Sequence, residues 1–283
     1  MPTLTLAHSP DADDAFMFYA LARGLIDTGD RRYVHELADI ETLNHRALAG
    51  ELDVTAVSFH AYAYLADRYA LLPSGGSVGD GYGPRLVAHR PAPGDPRAAL
   101  RGLRVAIPGR LTTAALALRL YQPDFEAVLT PFDQIEARLA GGDADAGLLI
   151  HEGQLTYRSR GLHLWTDLGE WWRGETGLPL PLGGNVVKRS LGEAVMWGVA
   201  TDLRASIAHG LSHRDAALQY ALRFARGLDP RRVDEFVGMY VNGYTLDYGQ
   251  RGRAAVQILL DRAAAAGVIP RAVTPAFVSL EPA

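Results

Sequence analysis

One pattern occurs twice in this 283-residue chain and narrows the folds open to it. Leu48-Ala-Gly-Glu-Leu-Asp53 runs into Val54-Thr-Ala-Val-Ser58, and Leu139-Ala-Gly-Gly-Asp-Ala-Asp145 runs into Ala146-Gly-Leu-Leu-Ile-His151. Each copy reads as a helix end, a glycine turn, an aspartate and a short apolar strand with a polar residue at its far end. Each copy also follows a strand–turn–helix unit. Thr3 to His8 alternates as a strand, breaks at Ser9 to Asp14, and enters a helical run from Ala15 to Ala22 ended by Gly24, with Asp13 or Asp14 as its cap. Leu103 to Ile107 leads through Pro108 to Leu111 into Thr112 to Leu120, with a threonine at the N-cap. The pattern predicts an α/β chain of two similar lobes, each a mixed sheet flanked by helices. Ligands of open α/β sheets bind beyond the carboxyl ends of the strands. Ser9, Ser58, Thr112, Thr113 and His151 fall at such ends, so they are candidates to share one cleft between the lobes.

The proline-rich stretch His89 to Arg97 is the expected crossover, and Thr176 to Asn185 reads as an extended return. This places a small lobe at 90–186 and a discontinuous large lobe at 1–89 and 187–283. The tail reads as helices at Ala194 to His209, His213 to Arg226, Pro230 to Tyr240 and Arg251 to Ala266, packing back on the first lobe.

Composition removes whole classes of chemistry. There is no cysteine, which excludes disulfides, thiolate catalysis and iron–sulfur ligation. Lys188 is the one lysine, so Schiff-base chemistry has a single possible position. A formal net charge of −4 gives no basic footprint for nucleic acid. No apolar run is long enough to span a bilayer, and the N-terminus lacks the pattern of a leader, so a soluble cytoplasmic protein with no membrane partner is expected.

Among the candidate residues, His151 ends a short apolar strand between Gly147 and Gly153, and histidine is the side chain suited to proton transfer near neutral pH. It serves equally well as a residue satisfying local backbone. Thr112 and Thr113 open a helix whose free amides suit a carboxylate, or they are ordinary caps. Asp11 to Asp14 reads as helix capping and first-turn charge rather than a cation site. His209 and His213 have helical spacing but carry only a weak metal signal. The glycine-rich Gly75 to Gly83 precedes a strand, which argues against a dinucleotide fingerprint and for a loop near ligand, with Tyr82 as a stacking surface. Trp171 and Trp172 either line a pocket or fill a core. Asn44 starts the helix before Leu48 and either caps it or reaches the cleft.

Several segments carry a resemblance. They are His8-Ser-Pro-Asp-Ala-Asp-Asp-Ala-Phe-Met-Phe-Tyr-Ala-Leu21, Asp39-Ile-Glu-Thr-Leu-Asn44, Ser58-Phe-His-Ala-Tyr62, Pro108-Gly-Arg-Leu-Thr-Thr-Ala114, Gly147-Leu-Leu-Ile-His-Glu-Gly-Gln-Leu-Thr-Tyr157 and Leu178-Pro-Leu-Pro-Leu-Gly-Gly-Asn185. With them the chain resembles the type II periplasmic-binding-protein-like fold, and within it the MqnD family, the 1,4-dihydroxy-6-naphthoate synthases of the futalosine route to menaquinone. The first loop departs from the Ser-Pro-Cys-Pro-Asn-Asp form of some members, so no role is carried over to Asp11 to Asp14. The resemblance implies a carbon–carbon lyase that acts on cyclic dehypoxanthine futalosine, an aromatic carboxylate, and uses no redox or metal cofactor. It implies His151 as the general base. Ser9, Asn44, Ser58, His60, Tyr82, Thr112, Thr113 and Glu152 are the candidate substrate contacts, with Trp171 or Trp172 covering the aromatic portion. The alternatives are a chorismate dehydratase on the same fold and a non-catalytic binding protein for a small carboxylate.

Overall fold

A computed structural model describes residues 3–225 and 228–280. Met1, the end of the expected helix at Arg226 and the last residues of the expected large lobe lie outside them. Among the described residues eleven strands run β1 Thr3–His8, β2 Arg32–Leu37, β3 Val54–Ser58, β4 Tyr69–Leu71, β5 Ser77–Gly79, β6 Arg85–Ala88, β7 Arg104–Ile107, β8 Glu126–Leu129, β9 Ala146–Leu149, β10 His163–Asp167 and β11 Leu180–Lys188. They form two sheets. The first has the order β2-β1-β3-β11-β4, with β5 also on β11, and the second the order β10-β6-β9-β7-β8.

The repeated sequence pattern is a repeated structure. In the first sheet β1 lies parallel between β2 and β3, and in the second β7 lies parallel between β8 and β9. The repeated aspartates explain why the third strand of each unit docks where it does. Asp53 accepts from the Thr5 amide of β1 at 3.0 Å, and Asp145 from the Arg104 amide of β7 at 2.9 Å. Each carboxylate satisfies a strand-end donor that the parallel ladder leaves open. The turns before them need left-handed backbone, which Gly50 (φ 75°) and Gly142 (φ 71°) supply.

The tail packs on the first lobe. Helix Glu193–Ser212 turns Val199, Leu203 and Ile207 onto Phe16 and Phe18, and helix Gly249–Ala265 lays Val256, Leu259, Leu260 and Ala263 onto the core around β11. Both sets follow helical spacing, one apolar stripe each. The expected Pro230 to Tyr240 helix occurs with those limits, with Asp229 accepting from the Arg231 and Arg232 amides. Among the described residues no helix is long and apolar enough to cross a membrane.

Two expectations need correction. The first helix is Ala12–Met17, its N-cap is Asp11 rather than Asp13 or Asp14, and no side chain caps it. Asp14 instead accepts from the Ser9 amide at 2.7 Å. The run also breaks at Phe18, whose ring stacks on His8, before resuming at Tyr19–Ala22. Asn44 does not start a helix. It sits inside Ile40–Ala49, which Asp39 caps by accepting from the Glu41 and Thr42 amides. The strand pairings bear on the lobe limits. β6 pairs with β9 (Leu86 opposite Leu148), so His89 to Arg97 connects two strands of the second sheet, and the chain crosses earlier, between Gly79 and Arg85. It returns by β11, which pairs with β3 from Gly183 and so belongs to the first sheet from Leu180. We propose dividing the lobes at these two changes of sheet.

Backbones touch at the crossing. Gly169, in the first turn of helix Leu168–Thr176, lies so close to Tyr82 and Gly83 that a Cβ would sit 2.0 Å from the Tyr82 carbonyl oxygen. The obstruction is backbone, which cannot rotate away. Gly169→Ala is therefore expected to cost about 2 kcal/mol or more, read as a fall in the urea midpoint, and an unchanged midpoint would contradict this packing.

Candidate active site

The carboxyl ends of β1, β3, β7 and β9 face one cleft with about 760 Å³ of empty space. Ser9, Ser58, Thr112, Thr113 and His151 all line it. Much of its lining is apolar, with Met17, Ile40, Val57, Ile150, Leu182 and Phe236, so a ligand with an apolar body and polar ends suits it.

The hydroxyls differ in what they have left to offer. Thr112 caps helix Thr113–Tyr121 by accepting from the Ala115 amide at 3.2 Å and donates to the Gly109 carbonyl at 3.0 Å, so both its functions are committed. Thr113 Oγ1 accepts from the His60 amide at 3.4 Å, which leaves its own O–H to donate. Ser58 is held from behind by Asn44, which donates to Ser58 Oγ at 3.2 Å and accepts from its amide at 2.9 Å. Ser9 donates to the Asp11 carboxylate. Glu41 ties the lobes together beside this group, accepting from the Arg110 amide at 2.7 Å and the Leu111 amide at 3.2 Å.

Other expected contacts lie outside the cleft. Asn44 is fully buried behind Ser58. His60 sits behind Thr113, and burial, offset in part by backbone hydrogen bonds, lowers its pKa to about 4, so its ring is neutral. Tyr82 donates to the Met239 carbonyl and packs edge-on against Tyr240, which itself lines the cleft, so Tyr82 supports the wall from behind. Glu152 faces a separate cavity with Thr156, Arg160 and Arg232. Trp172 is fully buried and donates to the Pro179 carbonyl, and Trp171 packs on Tyr121, so neither covers the cleft. Gly75 and Ser77 do reach it from the glycine-rich loop. His209 and His213 stack at 4.1 Å away from the site, and among the described residues no group of three acids or histidines is placed to hold a metal.

Sequence reasoning missed the acidic wall. Asp11, Asp13, Asp14 and Gln154 all line the cleft. His151 Nδ1 lies 3.0 Å from Asp11 Oδ2. Burial alone would depress the His151 pKa, but the Asp11 charge and hydrogen bond, with Glu152 and Asp13 adding, outweigh it and raise it to about 9. Burial first, then Asp11, pushes Asp13 up to about 7 against the pull of His151. Burial with Asp13 and Asp11 pushes Asp14 well above the carboxylate range. His151 is also the only non-glycine among the described residues with positive φ, at 56°. Gln154 stabilises that turn, with its amide oriented to accept from the His151 amide at 3.3 Å and the Tyr240 hydroxyl at 2.9 Å and to donate to the Gly83 carbonyl at 2.8 Å. The sequence signal for this wall was Asp11 to Asp14 directly after a strand whose carboxyl end faces a ligand, a position where capping was the simpler reading.

Comparison with known proteins identifies relatives of this chain. The family model described as menaquinone biosynthesis matches residues 4–265. The chain is 42% identical to a 1,4-dihydroxy-6-naphthoate synthase of Thermus thermophilus, over 98% of this chain and all of that one. It is likewise 42% identical to the enzyme of that name from Streptomyces coelicolor, over 95% of each. A solved Archaeoglobus fulgidus protein is 46% identical with a TM-score of 0.90, over 94% of this chain and 98% of that one. An alkanesulfonate-binding protein of Xanthomonas axonopodis, 14% identical over 96% of each chain with a TM-score of 0.69, shares the periplasmic-binding-protein fold alone.

The acidic wall makes stability depend on pH. Asp13 binds its proton more tightly folded than unfolded, so its contribution is complete below the unfolded carboxylate range and is lost as pH rises through about 7. Asp13→Asn, which mimics the protonated form, should melt above the parent by a clearly larger margin at pH 8 than at pH 5, because at pH 5 only part of the contribution has been lost. Equal melting temperatures at both pH values would mean that Asp13 carries no burial penalty.

Proposed function

This chain belongs to the menaquinone-biosynthesis family, and from that premise we infer that it is a 1,4-dihydroxy-6-naphthoate synthase, a lyase of menaquinone biosynthesis. The substrate is cyclic dehypoxanthine futalosine, and the reaction is a base-initiated elimination that opens the ring and releases a small sugar-derived fragment. The observation that carries the mechanism is His151 at the end of β9, lining the cleft, with Nδ1 engaged by Asp11 and Nε2 left as the nitrogen to take a proton. With a pKa of about 9 its free base is a small fraction at neutral pH, about 1% at pH 7, but a stronger acceptor than an ordinary imidazole. The anionic neighbours stabilise the imidazolium formed when the substrate proton arrives, which lowers the barrier to that step.

The substrate carboxylate belongs at the N-terminus of helix Thr113–Tyr121, where free amides and the helix dipole favour an anion and the Thr113 hydroxyl can donate. Ser58 and Ser9 take polar groups nearer β1 and β3, while Phe236 and Tyr240 cover the aromatic part. Glu152, Asn44, His60 and Tyr82 act behind these contacts. Closure of the lobes excludes water from the elimination. A cytoplasmic location is part of this proposal and rests on the biosynthetic enzymes the chain is similar to.

Purified protein incubated with cyclic dehypoxanthine futalosine should generate the naphthoate chromophore, and absence of product rejects the assignment. His151→Ala and His151→Asn should fold normally and lose at least about a hundredfold in kcat; near-parental turnover in either removes His151 from the chemistry. The two threonines should separate. Thr113→Val should raise KM several-fold with a smaller effect on kcat, whereas Thr112→Ala should cost about 1 kcal/mol of stability as a lost cap. Identical behaviour of the two variants would overturn this division of roles.

A further inference from the structure

The Asp11 carboxylate is not spent on its own helix. Asp11 is the N-cap of Ala12–Met17, yet its side chain makes no capping hydrogen bond and is 1% exposed. Its Oδ2 instead accepts from the Ser9 hydroxyl and lies 3.0 Å from His151 Nδ1. Ser9 and Asp11 follow β1 of the first sheet, and His151 follows β9 of the second. The contact therefore bridges the lobes. The edge of Phe132, with ring centroids 4.7 Å apart, meets the same imidazole. Two fixed neighbours and one hydrogen bond leave the ring little rotational freedom.

We propose that Asp11 is the positioning residue of the reaction, reaching from the opposite lobe to hold His151 by Nδ1 so that Nε2 is the nitrogen that meets the substrate, and only when the cleft is shut. The inference rests on His151 being the base. In the step it supports, the substrate C–H bond breaks and its electron pair drives the elimination. The proton forms a new N–H bond at Nε2, and the proton on Nδ1 stays shared with Asp11, which remains a carboxylate throughout. A ring bonded at Nδ1 is fixed in one tautomer, which removes the wrong tautomer and the rotated ring from the ground state. An open cleft separates the pair, so the histidine returns toward ordinary basicity and the base is assembled by the same motion that excludes water. The titratable groups that face the ring are Asp11, Asp13 and Asp14 from the first lobe and Glu152 beside it. Tyr240, contributed by the tail, is held neutral by burial. Of these, Asp11 makes the hydrogen bond.

The test reads His151 directly, by NMR titration of ring-labelled histidine with His151→Asn assigning its signal, alongside kcat and KM across pH. In the wild type His151 should titrate well above an ordinary histidine, with Nδ1 protonated. In Asp11→Asn its titration should fall by at least about one pH unit. The acidic limb of kcat/KM should move down with it, and kcat should fall at least about tenfold with KM within about threefold of the parent. Asp11→Glu, which keeps the anion, should restore the raised titration and part of kcat. A wild-type His151 that titrates near 6.5 overturns the proposal without recourse to any variant, so a misfolded Asp11→Asn does not shield it. An Asp11→Asn enzyme with parental titration and parental kcat overturns it as well. If His151→Asn is active, the base assignment fails, while the titrations still report whether Asp11 holds the ring.

Discussion

Asp11 from one lobe and His151 from the other meet at 3.0 Å in a place where neither could remain charged alone. Removing an isolated carboxylate or imidazolium from water costs several kcal/mol, and pairing recovers that only when geometry is good and the remaining polar atoms are satisfied. The surrounding wall follows from that constraint. Asp13 and Asp14 cannot both ionise beside Asp11, so burial and mutual repulsion raise their pKa values and leave protons in the cluster near neutral pH. Ser9 serves twice, donating its hydroxyl to Asp11 and its amide to Asp14. The result is a pocket with one net anionic partner for one cation, surrounded by carboxyls that can accept or release a proton as the ligand changes the field.

That meeting point exists because both lobes solve the same problem in the same way. A parallel strand triplet exposes backbone amides at one end and directs its loops to the other. Asp53 and Asp145 close the first end, each accepting from the strand beside it. The loops at the other end, Ser9 to Asp14 after β1 and Gly109 to Thr113 after β7, then face each other. Glu41 fastens one to the other lobe by taking the Arg110 and Leu111 amides, and it fills the space a side chain at Gly109 would need. A cleft framed by two helix N-termini and an inter-lobe carboxylate suits an anionic substrate at the helix Thr113–Tyr121 end and proton transfer at the Asp11–His151 end.

What could be read in advance divides along this line. β1 and β3, the Thr112 cap and the paired lobes were legible because local periodicity and turn chemistry decide them. The site hydroxyls were legible for the same reason, being at strand ends. The roles of Asp11, Asn44 and Tyr82 were not, because each depends on what lies across the fold rather than along the chain. Asp11 looks like a cap until His151 is brought to it from 140 residues away. Asn44 looks like a helix start until Ser58 is seen to take both ends of its amide. His89 to Arg97 has the composition of a linker, while the pairing of β6 with β9, which no local signal encodes, supports the earlier lobe division we propose.

The backbone at His151 completes the argument about preorganisation. A left-handed conformation costs a non-glycine residue about 1 kcal/mol, and histidine is among the side chains that tolerate it best. Glycine would relieve the strain but remove the ring, and a β-branched residue would deepen it. The turn ends β9 abruptly, so the side chain leaves the strand direction at the cleft wall instead of continuing the sheet. Gln154 offsets part of that cost by accepting the His151 amide, and its other contacts go to Tyr240 and Gly83. Tyr240 belongs to helix Pro230–Tyr240 of the tail and Gly83 to the crossing segment. The strained turn is thus held by the crossing segment and by the tail. The ring is fixed through its backbone by Gln154 and through Nδ1 by Asp11.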